Sequence, residues 1–235
     1  ASLGAVIAIY TGLSSMFLLA LPIFAMASAM GAVVLVQLLA GLHAGTLTLI
    51  LSGVAITSLA GALTSLALNL SPNPFAALEI LFWMLGSLAD RSMTHVMLAA
   101  PFMILGWVML GTLGKALDAL TLGPDVAASM GIRLARTQWI AVLGTAMSVG
   151  AATAVAGAIG FVGLIVPHLL RPLVQGKPGR LLLPSALGGA ALLLAADIAV
   201  RVIAPGRDLK LGVLTAIIGA PFFLWLVVKH RRSII

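Results

Sequence analysis

The sequence predicts an all-α, polytopic transmembrane helical bundle. Three observations carry this. Apolar residues make up 62% of the 235-residue chain and charged residues only 8%, against about 25% charged in an ordinary soluble domain. The mean hydropathy is +1.21, spread over more long apolar runs than a buried core can absorb. Nearly all of those runs approach the roughly 20 residues that a helix needs to cross hydrocarbon.

Eight apolar segments follow one another. The first two, 3–21 and 23–42, are separated by little more than Pro22, which reads as a tight reversal. The third, 46–70, is closed by Ser-Pro-Asn-Pro. The loop 71–92 then contains AALEILFWML, expected as a short amphipathic or re-entrant helix with Trp83 as an interfacial anchor. The fourth segment spans 93–113.

The loop 114–136 reads GKALDALTLGPDVAASMGIRLAR. Pro124 suits the first turn of a helix, with Asp125 near its positive end and Gly131 placed to stop it. A plain connector and a partner-contacting surface helix both fit this loop.

The fifth segment is 137–158 and the sixth, 161–170, is half length. A half-length segment in hydrocarbon must be shielded by other helices. In its stretch GFVGLIVPHLLR, Gly160 and Gly163 are expected to let neighbouring backbones approach. Pro167 lies too far along to start the helix and should bend it. His168 is read as packed or hydrogen-bonded, not as a metal or haem ligand. The last segments are 182–203 and 212–228, and small residues also recur at helical spacing in 53–62 and 150–160.

Charge sets the expected orientation. With KHRR at 229–232 cytoplasmic, nine basic residues fall inside: Lys115, Arg133, Arg136, Arg171, Lys177, Arg180, Lys229, Arg231 and Arg232. Four fall outside, namely Arg91, Arg201, Arg207 and Lys210. That follows the positive-inside rule. Asp118 and Asp125 are the inner acids, with Glu79, Asp90, Asp197 and Asp208 outside or near that face.

Several chemistries are disfavoured. Cysteine is absent, which removes disulfides, thiolate zinc and iron–sulfur sites. The formal charge of +7 is dispersed between apolar spans as topology signals, so no nucleic-acid partner is expected. No GxxxxGK[ST] loop or HExxH motif occurs, and the histidines at 43, 95, 168 and 230 are scattered. Asp197 and Arg201 stand four apart on one helix face. They fit a helix-end ion pair with a snorkelling arginine, and equally an arginine oriented by Asp197 toward an external protein. An ion-coupled secondary transporter would want a carboxylate near mid-membrane, whereas the acids here lie near segment ends. A purely structural membrane subunit is a further rival, separated by whether ligand uptake depends on the chain.

Five blocks at matching separations closely resemble FecCD-type permeases. They are FWMLGSLADRS at 82–92, LTLGPDVAASMGI at 120–132, AGAIGFVGLIVPHLLR, GRLLLPSALGGAALLLAADIAVR and LGVLTAIIGAPFFLWLVVK. The resemblance implies a single permease domain over 1–235 with the type II ABC importer permease fold. About eight of the family's ten helices would be present, the opening ASLGAVIAIYTG resembling the third. The family includes vitamin B12, ferric siderophore and haem importers. Its permeases pair as homodimers in the bacterial inner membrane, and two cytoplasmic ATPase subunits hold the ATP and magnesium. A periplasmic binding protein delivers the ligand, so this chain is expected to bind no cofactor and to be no enzyme.

The resemblance also implies residue roles. The loop 114–136 becomes the ATPase-coupling element, with Leu120, Gly123, Pro124, Asp125, Ser129, Gly131 and Arg133. Arg201 matches a family arginine that meets a carboxylate of the binding protein, and Arg91 and Lys210 lie where they would assist. Leu51, Ser52, Gly53 and Thr57 fall on the pathway-lining helix, near its inner gate. Gly160, Gly163, Pro167, His168 and Asp197 are structural. One departure is DLKLG at 208–212, where Lys210 replaces a helix-starting proline and puts the start of that helix in doubt. The ADRS ending at 89–92 resembles haem-type permeases, placing haem first, ferric siderophore second and cobalamin third.

Overall fold

A computed structural model describes residues 2–13, 20–41, 46–70, 74–203 and 209–231. Among these, every regular element is helical: α1 (Ser2–Tyr10), α2 (Ala20–Ala40), α3 (Thr46–Asn69), α4 (Pro74–Met84), α5 (Met93–Gly111), α6 (Gly114–Leu120), α7 (Pro124–Ser129), α8 (Leu134–Ala156), α9 (Val162–Leu170), α10 (Pro178–Ile203) and α11 (Leu211–Arg231). A 3-10 turn, Arg171–Val174, follows α9. Of these helices, α2, α3, α5, α8 and α10 are long and apolar enough to span a bilayer. Ser71, Pro72, Asn73, Arg207, Asp208 and Arg232 lie outside the described residues, as do the side chains of Glu79, Lys229 and Arg231.

The helices divide by what they pack against. Helix α8 runs between α5 and α2, which are its main neighbours, and α1 packs on α2. Close approach along α8 comes from small residues. A methyl added at Gly144 would stand 3.0 Å from Leu110 Cγ and 3.1 Å from the Gly106 carbonyl. One added at Gly150 would stand 3.0 Å from Ala29 Cβ. Such seams bring backbones together where lipid removes any hydrophobic drive for association. The short α9 lies against α10 and α11, which shields a segment too short to cross alone.

The exterior explains the composition. The accessible surface is 14366 Å², where a compact soluble monomer of this mass, 24.0 kDa, would expose about 9,900 Å². Large apolar side chains are exposed along the spans, Leu38 at 71%, Leu183 at 69% and Val202 at 71%. In water such a surface would aggregate; in hydrocarbon it is the solvated face. Three hydroxyls on the spans are satisfied by their own helix. Thr57 Oγ1 donates to the Gly53 carbonyl at 2.8 Å, Thr64 Oγ1 to Ala60 at 2.8 Å and Ser148 Oγ to Gly144 at 2.9 Å.

Three sequence expectations are corrected. No reversal occurs at Pro22, which is buried inside α2. Among the described residues, the chain leaves α1 in a turn at Thr11 and Gly12. Pro22 stands third in α2, in the first turn, where a proline costs no hydrogen bond. Pro101, Pro184 and Pro221 by contrast sit inside helices, as membrane helices permit when neighbours satisfy the freed carbonyl. Trp83 is no interfacial anchor, being buried against Ala5, Ala25 and Ala154. Gly160 and Gly163 do not admit a neighbouring backbone in this chain, for a methyl on either would meet nothing within 4 Å.

Candidate coupling and docking faces

Two groups of candidate residues sit at opposite ends of α10. At 1.5 Å per residue its 26 residues extend about 39 Å. The first group is built on α6 and α7, which are only 7 and 6 residues long. Leu120 ends α6, and a turn over Thr121 and Leu122 leads to Gly123. Gly123 has φ 105° and ψ 154°, a conformation essentially confined to glycine, and caps α7. Pro124 takes the first helical position and Asp125 lies exposed in the first turn. Ser129 closes the helix with its hydroxyl on the Val126 carbonyl at 2.8 Å. Gly131 follows at φ 85°, and exposed Arg133 caps α8.

This hairpin has an apolar outer surface that the sequence reading missed. Ala127 is fully buried beneath α7, while Leu122, Val126 and Met130, each four residues apart, are exposed. The four-residue spacing was the available signal, hidden because the loop reads as polar.

The second group lies at the far end of α10. Arg201 Nε donates to Asp197 Oδ2 at 2.8 Å. The arginine side chain is 61% exposed and the aspartate 19%, so Asp197 is the fixed partner and Arg201 the presented one. Beneath them Ala196 and Val200 form a cluster with Leu211, flanked by Leu88 and Leu209. That cluster draws Arg201, the exposed Arg91 and the half-buried Lys210 to one end of the molecule. The doubt about the last helix resolves locally: α11 starts at the buried Leu211, and the Lys210 carbonyl accepts from Val213 N at 3.1 Å.

Glycines fasten this end. Ser87 N donates to the Ala156 carbonyl at 2.7 Å and Gly212 N to the Gly86 carbonyl at 3.3 Å. Gly157, with φ 77° and ψ −174°, faces the backbone of Gly86 and Trp83 with no room for a side chain. Loops after α4 and α8 are thereby pinned to the start of α11.

The remaining candidates are distributed. His168 meets Phe222 edge-on at 6.2 Å, and Phe222 meets Trp225 at 5.9 Å. No group of three His, Asp or Glu residues converges among the described residues. Pro167 sits within α9, and its carbonyl accepts from the Arg171 backbone N–H. Leu51 and Thr57 are exposed and Ser52 and Gly53 half-buried on α3, whose main neighbours are α1 and α2.

The profile of the FecCD transport family matches residues 1–229. The chain belongs to that family. It is 38% identical over 218 residues to the Fe(3+) dicitrate transport system permease protein FecD of Escherichia coli, covering 92% of this chain and 67% of that protein. It is 41% identical to the vitamin B12 import system permease protein BtuC of Vibrio cholerae, covering 80% and 56% respectively. Against the hemin transport system permease protein HmuU of Yersinia pestis the figures are 36%, 81% and 57%. The chain thus spans between 56% and 67% of the length of these relatives. Among solved structures, a transporter described as of metal-chelate ABC type in an inward-facing conformation matches with a TM-score of 0.87. That match has 31% identity over 97% of this chain and 72% of the other. The FecCD fold is therefore present over nearly all of the chain, with the helical hairpin and the Asp197–Arg201 pair at opposite ends of α10.

Proposed function

We propose that this FecCD chain is the permease subunit of an ATP-binding cassette importer that moves haem or a ferric siderophore from periplasm to cytoplasm. The observation that carries the proposal is the family match over residues 1–229. The arrangement along α10 supports it. The α6–α7 hairpin and the C-terminus face the cytoplasm and Arg201 faces the periplasm, the orientation the basic residues favour.

In this reading two copies of the chain pair around a central path in the bacterial inner membrane. The exposed face of α3, with Leu51, Ser52, Gly53 and Thr57, lines that path near its inner gate. Leu120, Gly123, Pro124, Asp125, Ser129, Gly131 and Arg133 shape and border the hairpin that contacts an ATPase subunit, and Leu122, Val126 and Met130 supply its apolar contact. Arg201, Arg91 and Lys210 receive an acidic surface of a periplasmic binding protein. ATP and magnesium are bound in the ATPase subunits, which perform the hydrolysis. ATP binding there favours one permease conformation over another, and transport follows from that difference in stability.

The ligand class rests on ADRS at 89–92 for haem, and on the relatives' iron-chelate and hemin substrates. Cobalamin is the second reading, favoured by the similarity to BtuC. The test is uptake into vesicles holding the full complex, with hemin, a ferric siderophore and cobalamin offered separately. Uptake requiring ATP and both partners is expected for hemin or the siderophore. Uptake of cobalamin alone would transfer the assignment to the second reading, and uptake driven by an ion gradient without ATP would overturn both.

A further inference from the structure

Asp118 makes a contact that neither a connector nor an exposed coupling surface requires. Its Oδ1 accepts a hydrogen bond from the backbone N–H of Gly179 at 2.8 Å, between residues 61 apart in sequence. Gly179 is in the first turn of α10, where the opening N–H groups lack partners within the helix. A carboxylate there also meets the positive end of the helix dipole. The two helices are in backbone contact as well. A methyl on Gly179 would stand 2.8 Å from Asp118 Oδ2 and closer still to the Gly114 carbonyl. Among the described residues, α6 caps α10 from outside and leaves no slack between them.

We propose that Asp118 is the positioning residue that makes α6 and α10 move as one body, so that displacement of the α6–α7 hairpin is delivered along α10 to Arg201. The proposal rests on the reading of that hairpin as the ATPase contact. Its physical basis is continuity. Helix α7 hangs from α6 through three residues, Thr121 to Gly123, and both Thr121 N and Oγ1 donate to the Asp118 carbonyl. Helix α10 is a single element over Pro178–Ile203 and ends beside the Asp197–Arg201 pair. Removing the carboxylate leaves the covalent path through α8 and α9 and the packing of Gly114 on Gly179, but takes away the hydrogen bond that ties the two helices.

The test uses the complete complex in lipid nanodiscs and vesicles, with Asp118→Ala, Asp118→Asn and Gly179→Ala. The readouts are ATPase co-purification, ligand imported per ATP hydrolysed, and the ATP-dependent change in affinity for the binding protein. Asp118→Ala should still assemble and hydrolyse ATP, while uptake per ATP and the affinity change fall by at least ~5-fold, the low end of coupling between sites. Asp118→Asn keeps an oxygen acceptor and should stay within about twofold of wild type, a rescue that a purely electrostatic role would not give. Gly179→Ala forces the helices apart and should reproduce Asp118→Ala. Wild-type coupling in Asp118→Ala, or equal loss in the asparagine variant, overturns the proposal. Should Asp118→Ala not assemble, wild-type coupling in Gly179→Ala overturns it. Val126→Glu and Met130→Glu separate the two readings: if both leave ATPase co-purification intact, the hairpin assignment fails whatever Asp118 does.

Discussion

The phenyl ring of Phe161 lies on Gly219, so close that a methyl there would overlap its Cβ and Cγ and stand 2.9 Å from Cδ1. Phe161 holds the left-handed conformation at φ 67° to reach this site at the start of α9, a strained position for a bulky residue. The pair locks the half-length helix to α11. Gly219→Ala should destabilise the protein by about 1–3 kcal/mol, as overpacking does. Thermal unfolding in detergent should show the loss, and Phe161→Ala should relieve part of it. Additive losses in the double variant would count against the contact.

Gly157 and Gly160 are three residues apart and should behave oppositely. Gly157 combines a positive φ with backbone on its open side, whereas Gly160 faces empty space. Gly157→Ala should cost at least the ~1–3 kcal/mol of such backbone strain and reduce the amount of folded protein in the membrane. Gly160→Ala should stay within about 0.5 kcal/mol of wild type. Equal sensitivity at both positions would contradict the glycine fastening described at this end.

The start of α5 is closed by Ser92 and His95. The Ser92 backbone N–H donates to His95 Nδ1 at 3.3 Å, and Ser92 Oγ lies 2.8 Å from the same nitrogen. Histidine takes the place that glutamate or glutamine usually fills in a capping box. His95→Ala should therefore lower stability by roughly 0.5–1 kcal/mol, while His95→Gln should retain most of it. Chemical denaturation monitored by intrinsic fluorescence distinguishes the two.

The salt bridge of Arg201 with Asp197 should matter for docking and little for folding. A helical pair at this spacing is worth about 0.3–0.5 kcal/mol. Arg201→Glu is expected to weaken binding of the cognate periplasmic protein at least ~10-fold, more strongly at low salt. Asp197→Ala should weaken it less, because the charge remains and only its orientation is lost. Unaltered affinity after the reversal, measured on immobilised complex, would remove Arg201 from the docking surface.

On the opposite face, Val126→Glu and Met130→Glu should each reduce ATPase co-purification several-fold, as burying an unpaired charge at a contact costs about 1–3 kcal/mol or more. Thr121→Ser, which keeps its hydroxyl, should have no effect. Full retention of the ATPase in both glutamate variants would mean that the apolar side of the hairpin faces lipid or solvent instead.

Composition and local pattern already contained the membrane setting, the long spans, the half-length α9, and the hairpin with Pro124 opening α7 and Gly131 following it. Each depends on the solvent or on residues within a turn or two, so the chain carries it locally. The Asp197–Arg201 pair was legible for the same reason, being four residues apart on one helix. Docking between helices was not. Gly157 and Gly160 sit in one tetrapeptide, and nothing local tells which one faces a wall of backbone. The tie from Asp118 to Gly179, the seating of Phe161 on Gly219 and the burial of Trp83 join residues distant in sequence. They exist only once the helices have chosen neighbours, because a small residue or a lone carboxylate gains its role from what stands opposite it. Pro22 shows the converse: it falls third in α2, in a first turn that uses no N–H from it, so it lies within a helix where the local pattern suggested a break.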